Sequence, residues 1–438
     1  MRSNPCEKDL YAESCNGFHQ RTSKRECKGI IFFFSTNNNL KFIFTSFLVL
    51  CLVFFLRNVN FVKKVVFHSL LISIIMKKIS FFLLFVLIFL LAGLEDLSSC
   101  TIFRLKAQDG SWMVARSMEF GVDLHYDLIT VPRNHNYASP FSAGVNGLKW
   151  KTNYGYVGVA SFGMDYGLSD GMNEKGLVVG VLWYETDMKW QQVTVSDSSI
   201  ALSQTMFCDW MLGLFATTDE LRQAIPSVKI FNYVDPVLGM APTCHFIVYD
   251  AKGGCIVVEF DQGNCHIYDN PLGIMTNAPS FPWQINNLRQ YINMSPLSPE
   301  PISFSGVTLN ATGHGSGMFG LPGDYSPPSR FVRLAVLTRF VDPQPDALHN
   351  LNLCNHVINT FTIPFGVIYD LSADGKPVRK ESTQWVTFRD QTNLTLYFKT
   401  YDNSTLRKID LKKINFSVKE IKRIPMFGSP ETITEITQ

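Results

Sequence analysis

No two cysteines in this 438-residue sequence stand at CxxC spacing, which removes the simplest zinc and dithiol signatures. Charge of one sign is also lacking, because Lys and Arg exceed Asp and Glu by only two. Without a clustered basic face, nucleic acid is not an expected partner. No internal repeat or low-complexity tract follows residue 99, which sets aside solenoids and arrays. Nor do strands and helices alternate as βαβ units, so a parallel, doubly wound sheet is not expected. Long apolar runs are scarce, and the two that exist, "FIFTSFLVLCLVFFL" and "ISFFLLFVLIFLLAG", both precede residue 99.

What is there begins with a leader. Met76 opens "MKKISFFLLFVLIFLLAGLEDLSSC", a charged start, an apolar run and then small residues, the layout of a secretory signal peptide. Residues 76–99 are read as that signal peptide. Residues 1–75 are read as an extension upstream of the true start, with a membrane segment at "KFIFTSFLVLCLVFFL" as the alternative. Residues 100–438 then form one exported domain, periplasmic or secreted, that meets a membrane only through the leader; the alternative is a membrane-anchored protein. Of the ten cysteines, Cys6, Cys15, Cys27 and Cys51 fall in the leader and Cys100 at its end. The remaining Cys208, Cys244, Cys255, Cys265 and Cys354 are odd in number and irregular in spacing, and read as small buried hydrophobes. Cys244 and Cys265 should lie two strands apart, beyond disulfide reach.

After Cys100 the period is that of strands: "CTIFRLKAQDGSWMVARSMEF" gives two alternating runs about Asp109-Gly110, a hairpin signal. "DLITVPR", "YGYVGVASFGM" and "GLVVGVLWY" continue as strands. "SSIALSQTMFCDWMLGLFA" changes to helical spacing, and Thr217 to Glu220 offer a capping box for a second helix. "CHFIVYD", "CIVVEFD" and "CHIYDN" return to strand, followed by helices at "FPWQINNLRQYINM", at "SPPSRFVRLAVLTRFV" with Ser326 as cap, and at "DALHNLNLCNHVINTF". Strands close the chain. Strands, helix pair, strands, helix pair and strands describe an α+β protein with mostly antiparallel sheets.

Cleavage of Ser99-Cys100 would make Cys100 the first residue, so a thiol and a free α-amine would belong to one residue. An α-amine has a pKa of about 7.7–8.0 and can act as general base for its own side chain. Two other fates are open at this point: a buried strand cysteine, or an acylated one, since "LSSC" is similar to a lipobox and would tether a non-catalytic lipoprotein.

"CTIFRLKAQDGSWMVARSMEF", "SDGMNEKGLVVGVLWY", "GIMTNAPSFPW" and "GHGSGMFGLPGDYSPPSRFVR" together resemble the successive motifs of choloylglycine hydrolases and penicillin V acylases. The resemblance runs from Cys100 almost to the C-terminus. It implies the αββα sandwich of N-terminal-nucleophile hydrolases, two antiparallel sheets between helical layers. It also implies hydrolysis of linear amides with an aromatic or aliphatic acyl group, no metal or cofactor, and a homotetramer. Carried over by motif, the nucleophile falls on Cys100 and an arginine on Arg116. An acidic position usually held by Asp is Glu119 here. Asn277 and the backbone N–H of Trp183 become the oxyanion donors, and Arg330 the late arginine. The Trp183 ring stands where bile salt hydrolases usually have Asn, which favours a penicillin V acylase-like enzyme over a conjugated bile acid hydrolase.

Turn geometry disagrees in part. A two-residue turn at Asp109-Gly110 pairs Gln108 with Ser111, sets Glu119 opposite Cys100 and turns Arg116 to the other face. The plain alternatives are a solvated Arg116–Glu119 pair, a turn-closing Asn277 and a core-facing Trp183, while Arg333 reads as an exposed helix charge. Asp170, Asn173 and Glu174 are expected to shape a loop. A papain-like pairing of Cys100 with His245 or His356 is the remaining alternative, though no papain signature surrounds Cys100.

Overall fold

The computed structural model describes residues 98–142, 145–185, 188–372 and 375–436. The expectations for 1–75, and for 76–99 up to residue 97, lie outside the described residues. Strands and helices form where their periods place them, with two corrections. Within "SSIALSQTMFCDWMLGLFA" α-helix is confined to Phe207–Leu214, because Ala201–Ser203 pairs in parallel with Lys229–Phe231 and so leaves the helical path. Ser326 stands at the helix start, but its hydroxyl donates to Asp324, so its side chain makes no cap.

Two large antiparallel sheets organise the domain. The first runs in the order Ile274–Met275, Ser98–Lys106, Trp112–Phe120, Pro377–Asp390, Thr395–Thr400 and Asn403–Asp410, with Ile368–Leu371 also on Pro377–Asp390. The second runs Asn264–Asp269, Cys255–Asp261, Cys244–Tyr249, Val178–Trp183, Asp170–Asn173, Tyr156–Ala160, Asp127–Val131 and Lys422–Pro425.

The burial pattern explains the layering. Cys244–Tyr249 is buried at every position rather than at alternate ones, so both its faces must be covered. Ile247 and Tyr249 pack with the first sheet, while Phe246 and Val248 pack with Phe207 and Met211 of the helix Phe207–Leu214. The helices Pro327–Phe340 and Ala347–Asn359 cover the far side of the first sheet, where Phe331, Leu334 and Ile358 join its core. Helix, sheet, sheet, helix is the expected order. At Gly180 the sheets approach so closely that a Cβ would come within 2.7 Å of Ile102, so no larger residue fits without movement. Cys100 stands on the strand next to the first sheet's short edge strand, with its side chain between the layers.

Candidate active site

The first hairpin carries three of the expected residues, Cys100, Arg116 and Glu119, in a register one residue away from the expected one. Its turn holds three residues, closed by Ala107 N–H to the Ser111 carbonyl at 2.9 Å. Gly110 takes φ 88°, the left-handed conformation such a turn requires. Cys100 therefore lies opposite Met118, and Glu119 opposite Ser99. A one-residue slip exchanges faces. Arg116 joins Cys100, and Glu119 goes to the other side. The turn geometry inferred from sequence is corrected, and the disagreement over Arg116 disappears with it.

Arg116 and Glu119 are 0% and 1% exposed, which corrects the solvated-pair alternative. Arg116 Nη2 lies 3.6 Å from Cys100 Sγ and donates to the Val181 carbonyl at 2.5 Å, while Nη1 donates to the Ser169 carbonyl. Burial works against its charge, but the Cys100 sulfur and Asp170 favour it, and the guanidinium is held above its ordinary value. Glu119 accepts from Thr383 Oγ1 at 2.8 Å. Burial, opposed by nearby Arg330 and by the hydrogen bond from Thr383, pushes its carboxyl up to about 8.

Asn277 and Arg330 arrive from the segment after Ile274–Met275 and from the helix Pro327–Phe340. Asn277 Oδ1 accepts from the Cys100 backbone N–H at 2.7 Å and from Arg330 Nη2 at 2.7 Å. Its Nδ2 donates to the Trp183 carbonyl at 2.9 Å. These long-range contacts correct the turn-closing alternative. A strand residue sends N–H and C=O to the same edge, so the Trp183 N–H faces the edge where Asn277 stands. Arg330 also donates to the Cys100 carbonyl and to Thr101 Oγ1, the latter at 2.9 Å. Burial lowers its pKa, against the pull of Glu119 and Cys100. Arg333 is no exposed charge: it is 7% exposed and donates to the carbonyls of Pro322, Asp324 and Thr360.

Cys100, Met118, Tyr126, Trp183 and Met240 line a cavity of about 320 Å³ with largely apolar walls. The Trp183 indole is half-buried in this wall, edge-on to Phe120 at 6.0 Å, so the core-facing alternative is corrected. The papain-like pairing is corrected too. His245 commits one ring nitrogen to Glu259 and the other to the Thr276 carbonyl, and His356 is exposed on its helix. The other five cysteines are free thiols, Cys265 partly and the rest fully buried. Cys244 and Cys265 lie on strands two apart, as expected. Burial pushes the Cys255 and Cys265 thiols up to about 12.

The polar cluster does shape a loop. Asn173 Nδ2 donates to the carbonyls of Leu212 and Phe215, and its Oδ1 accepts from Lys175 and Leu177 N–H. Asp170 accepts from Arg389 and Thr387, and Glu174 from Arg133.

Asp209 was missed by sequence reasoning. Its carboxylate accepts from Gly167 N–H at 2.9 Å and Tyr156 OH at 3.1 Å, fixing a loop in the cavity wall. An acid inside the apolar helix "FCDWMLGL" was the available signal. Burial pushes Asp209 up to about 7. A carboxyl raised in the folded state contributes stability that is complete below its ordinary pKa and is lost as pH rises through the folded value. Asp209 should therefore make the fold less stable between pH 3.8 and about 7. Glu119 should do the same between 4.5 and about 8. Urea unfolding at pH 5 and pH 8.5 checks this: Asp209→Asn should lose less stability across the interval than the parent, and an unchanged loss would show that the Asp209 carboxyl does not set it.

The model of the "Linear amide C-N hydrolases, choloylglycine hydrolase family" matches residues 100–424. A bile salt hydrolase/transferase of Clostridium perfringens is 28% identical over 327 residues, covering 74% of this chain and 95% of that protein. A penicillin V acylase of Pectobacterium atrosepticum is 26% identical over 324 residues, covering 70% of this chain and 78% of that protein. The crystal structure of a mutant conjugated bile acid hydrolase from Clostridium perfringens superposes with a TM-score of 0.68 at 26% identity, covering 77% of this chain and 100% of that one. The non-catalytic lipoprotein reading finds no support among them. With this match over most of its length and the layered sheets of its solved members, the chain belongs to the choloylglycine hydrolase family and is a hydrolase of linear amide C–N bonds.

Proposed function

We propose that the mature enzyme begins at Cys100 and that this residue is both nucleophile and base. The α-amine takes the thiol proton, and the thiolate attacks the amide carbon as the carbonyl π pair moves onto oxygen. Asn277 Nδ2 has two hydrogens, of which Trp183 takes one. The other, with the Trp183 N–H, meets the oxyanion. Collapse expels the amine, which takes the proton from the α-ammonium. Water then attacks the thioester, losing a proton to the α-amine, and the acid leaves as the thiol re-forms. Arg116 faces the sulfur, and Arg330 supports the charge around Asn277.

One observation carries this reading: Cys100 alone supplies both a sulfur in the cavity wall and a nitrogen held by Asn277. Glu119 fits it, since removal of Ser99 would leave the new α-amine beside the place that Glu119 faces. Freeing that amine calls for cleavage after Ser99, which suits a signal peptide and an exported, periplasmic or secreted enzyme. We include the homotetramer implied by the family. The exposed apolar residues Ile302, Phe304, Val307 and Leu309 on one hairpin favour association of copies.

For the substrate we favour a penicillin V acylase-like choice, an aromatic or flexible aliphatic acyl group. The indole of Trp183 gives the cavity a broad stacking face and no carbonyl acceptor. Hydrolysis of phenoxyacetyl-penicillin, glycine- and taurine-conjugated bile acids and N-acyl-homoserine lactones, compared by kcat/KM, tests it. The phenoxyacetyl amide should lead, and Trp183→Asn should narrow or reverse its advantage over bile acids by about tenfold, the scale of one pocket contact. A parent enzyme preferring bile acids would replace this choice with the conjugated bile acid hydrolase.

A further inference from the structure

The oxyanion donor stands on a segment held at both ends by a buried couple that the mechanism above does not use. His245 Nε2 lies 2.9 Å from the Thr276 carbonyl, the residue before Asn277. His245 Nδ1 lies 3.1 Å from Glu259 Oε1, and the two side chains are 0% and 3% exposed. Tyr184 stacks on the imidazole at 4.8 Å, which fixes the plane of the ring. A carbonyl oxygen can only accept, so Nε2 carries a hydrogen. The Nδ1–Glu259 contact then holds one proton, whichever partner bears it.

The same Glu259 oxygen accepts from the Phe281 N–H at 2.9 Å, at the start of the helix Phe281–Asn287. His245 thus holds the segment at Thr276 and Glu259 holds it at Phe281. Asn277 lies between these two points. Two further bonds steady the same stretch: Thr276 Oγ1 donates to the Pro327 carbonyl at 3.0 Å, and Gln284 Nε2 to the Asn277 carbonyl at 3.3 Å.

We propose that His245 and Glu259 are positioning residues for the Asn277 amide. They fix the main chain on either side of Asn277, so that its side chain meets the Cys100 nitrogen through Oδ1 and the Trp183 carbonyl through Nδ2. The inference rests on the reading of Asn277 as an oxyanion donor. Its physical basis is that a hydrogen-bond donor stabilises developing charge only from the right place: a displacement of about 1 Å can cost about 100-fold in rate. Neither residue needs to touch the substrate.

The two ring nitrogens can be tested separately. In His245→Gln the amide nitrogen takes the place of Nε2 and keeps the bond to Thr276. In His245→Asn it takes the place of Nδ1 and keeps only the contact with Glu259. With phenoxyacetyl-penicillin as substrate, His245→Asn should lower kcat about 100-fold with KM changed less than about threefold, and His245→Gln should stay within about tenfold of the parent. Alkylation of Cys100 by iodoacetamide, which forms no oxyanion, should keep its rate in both. Equal losses in the two variants, or an unchanged kcat in a folded His245→Asn, overturn the proposal.

If the histidine variants do not fold, the near-isosteric Glu259→Gln carries the test. It should lower kcat about tenfold, being a milder displacement of the same segment, and an unchanged kcat there overturns the proposal as well. In an Asn277→Ala background His245→Asn should cost little more, because both act through one amide, whereas additive losses count against the couple. Full activity in Asn277→Ala alone would instead overturn the oxyanion reading, and this inference with it.

Discussion

Cys100→Ala is expected to lower turnover by about 10⁴-fold or more, the scale at which loss of a nucleophile leaves only binding and oxyanion stabilisation. The fold should survive. Cys100 is 1% exposed, and its sulfur contacts Met118 Sδ at 3.6 Å and Arg116, so alanine removes little packing. A cost of about 1 kcal/mol is the expected scale for one buried sulfur. Cys100→Ser should keep a trace of activity, because a hydroxyl is the weaker nucleophile at neutral pH. The α-amine gives the second arm of the test. While Ser99 is attached, the Cys100 nitrogen is an amide with no basic lone pair, and Ser99 continues the strand opposite Glu119. Activity should therefore appear only in protein whose N-terminus, read by mass spectrometry, is Cys100. Full turnover in Cys100→Ala, or in a form that retains Ser99, would remove the self-base mechanism.

Strands and helices were legible because their periods are local. Asp109-Gly110, Lys252-Gly253-Gly254 and Gly263-Asn264 sit at turns, and Thr217 caps its helix by accepting from Glu220 N–H. The site was legible only through motif resemblance. Composition alone would have left Arg116 and Glu119 as surface charges, since nothing local tells that a helical layer will cover one face of their sheet and a second sheet the other. The register failed for a specific reason. Asp109-Gly110 fits a two-residue turn and a three-residue turn equally well. The second is built here because Gln108 N–H also bonds the Gln344 carbonyl, a contact across the sequence that no short window contains. The same holds for Ala201–Ser203, whose apolar spacing is helical until its distant partner Lys229–Phe231 is known. Asp209 went unrecognised, and His245 was read only as a papain-like partner for Cys100, because their actual partners, Gly167 and Thr276, are far away in the chain.

Arg330 is where the largest combined loss of activity and stability is expected. Its guanidinium serves four acceptors at once: the carbonyls of Tyr325 and Cys100, Thr101 Oγ1 and Asn277 Oδ1. Arg330→Met keeps the length and loses every donor. Asn277 Oδ1 would still accept from the Cys100 nitrogen and Nδ2 would still donate to the Trp183 carbonyl, but the amide would lose its charged partner and be held less firmly, so its Nδ2 would leave the oxyanion position for part of the time. A kcat loss of about 10³-fold follows if the donor is then as good as absent. Stability should fall by about 2–3 kcal/mol, the cost of leaving buried acceptors without a charged donor. Arg330→Lys separates charge from geometry. A lysine restores the positive charge next to Glu119, but its ammonium is a point donor that cannot span the acceptors a planar fork reaches. It should recover part of the stability and little of the rate. Recovery of both by lysine would show that Arg330 acts through its charge alone, and near-parent kcat in Arg330→Met would remove it from the support of Asn277. Steady-state kinetics and urea unfolding on the same preparations distinguish these results.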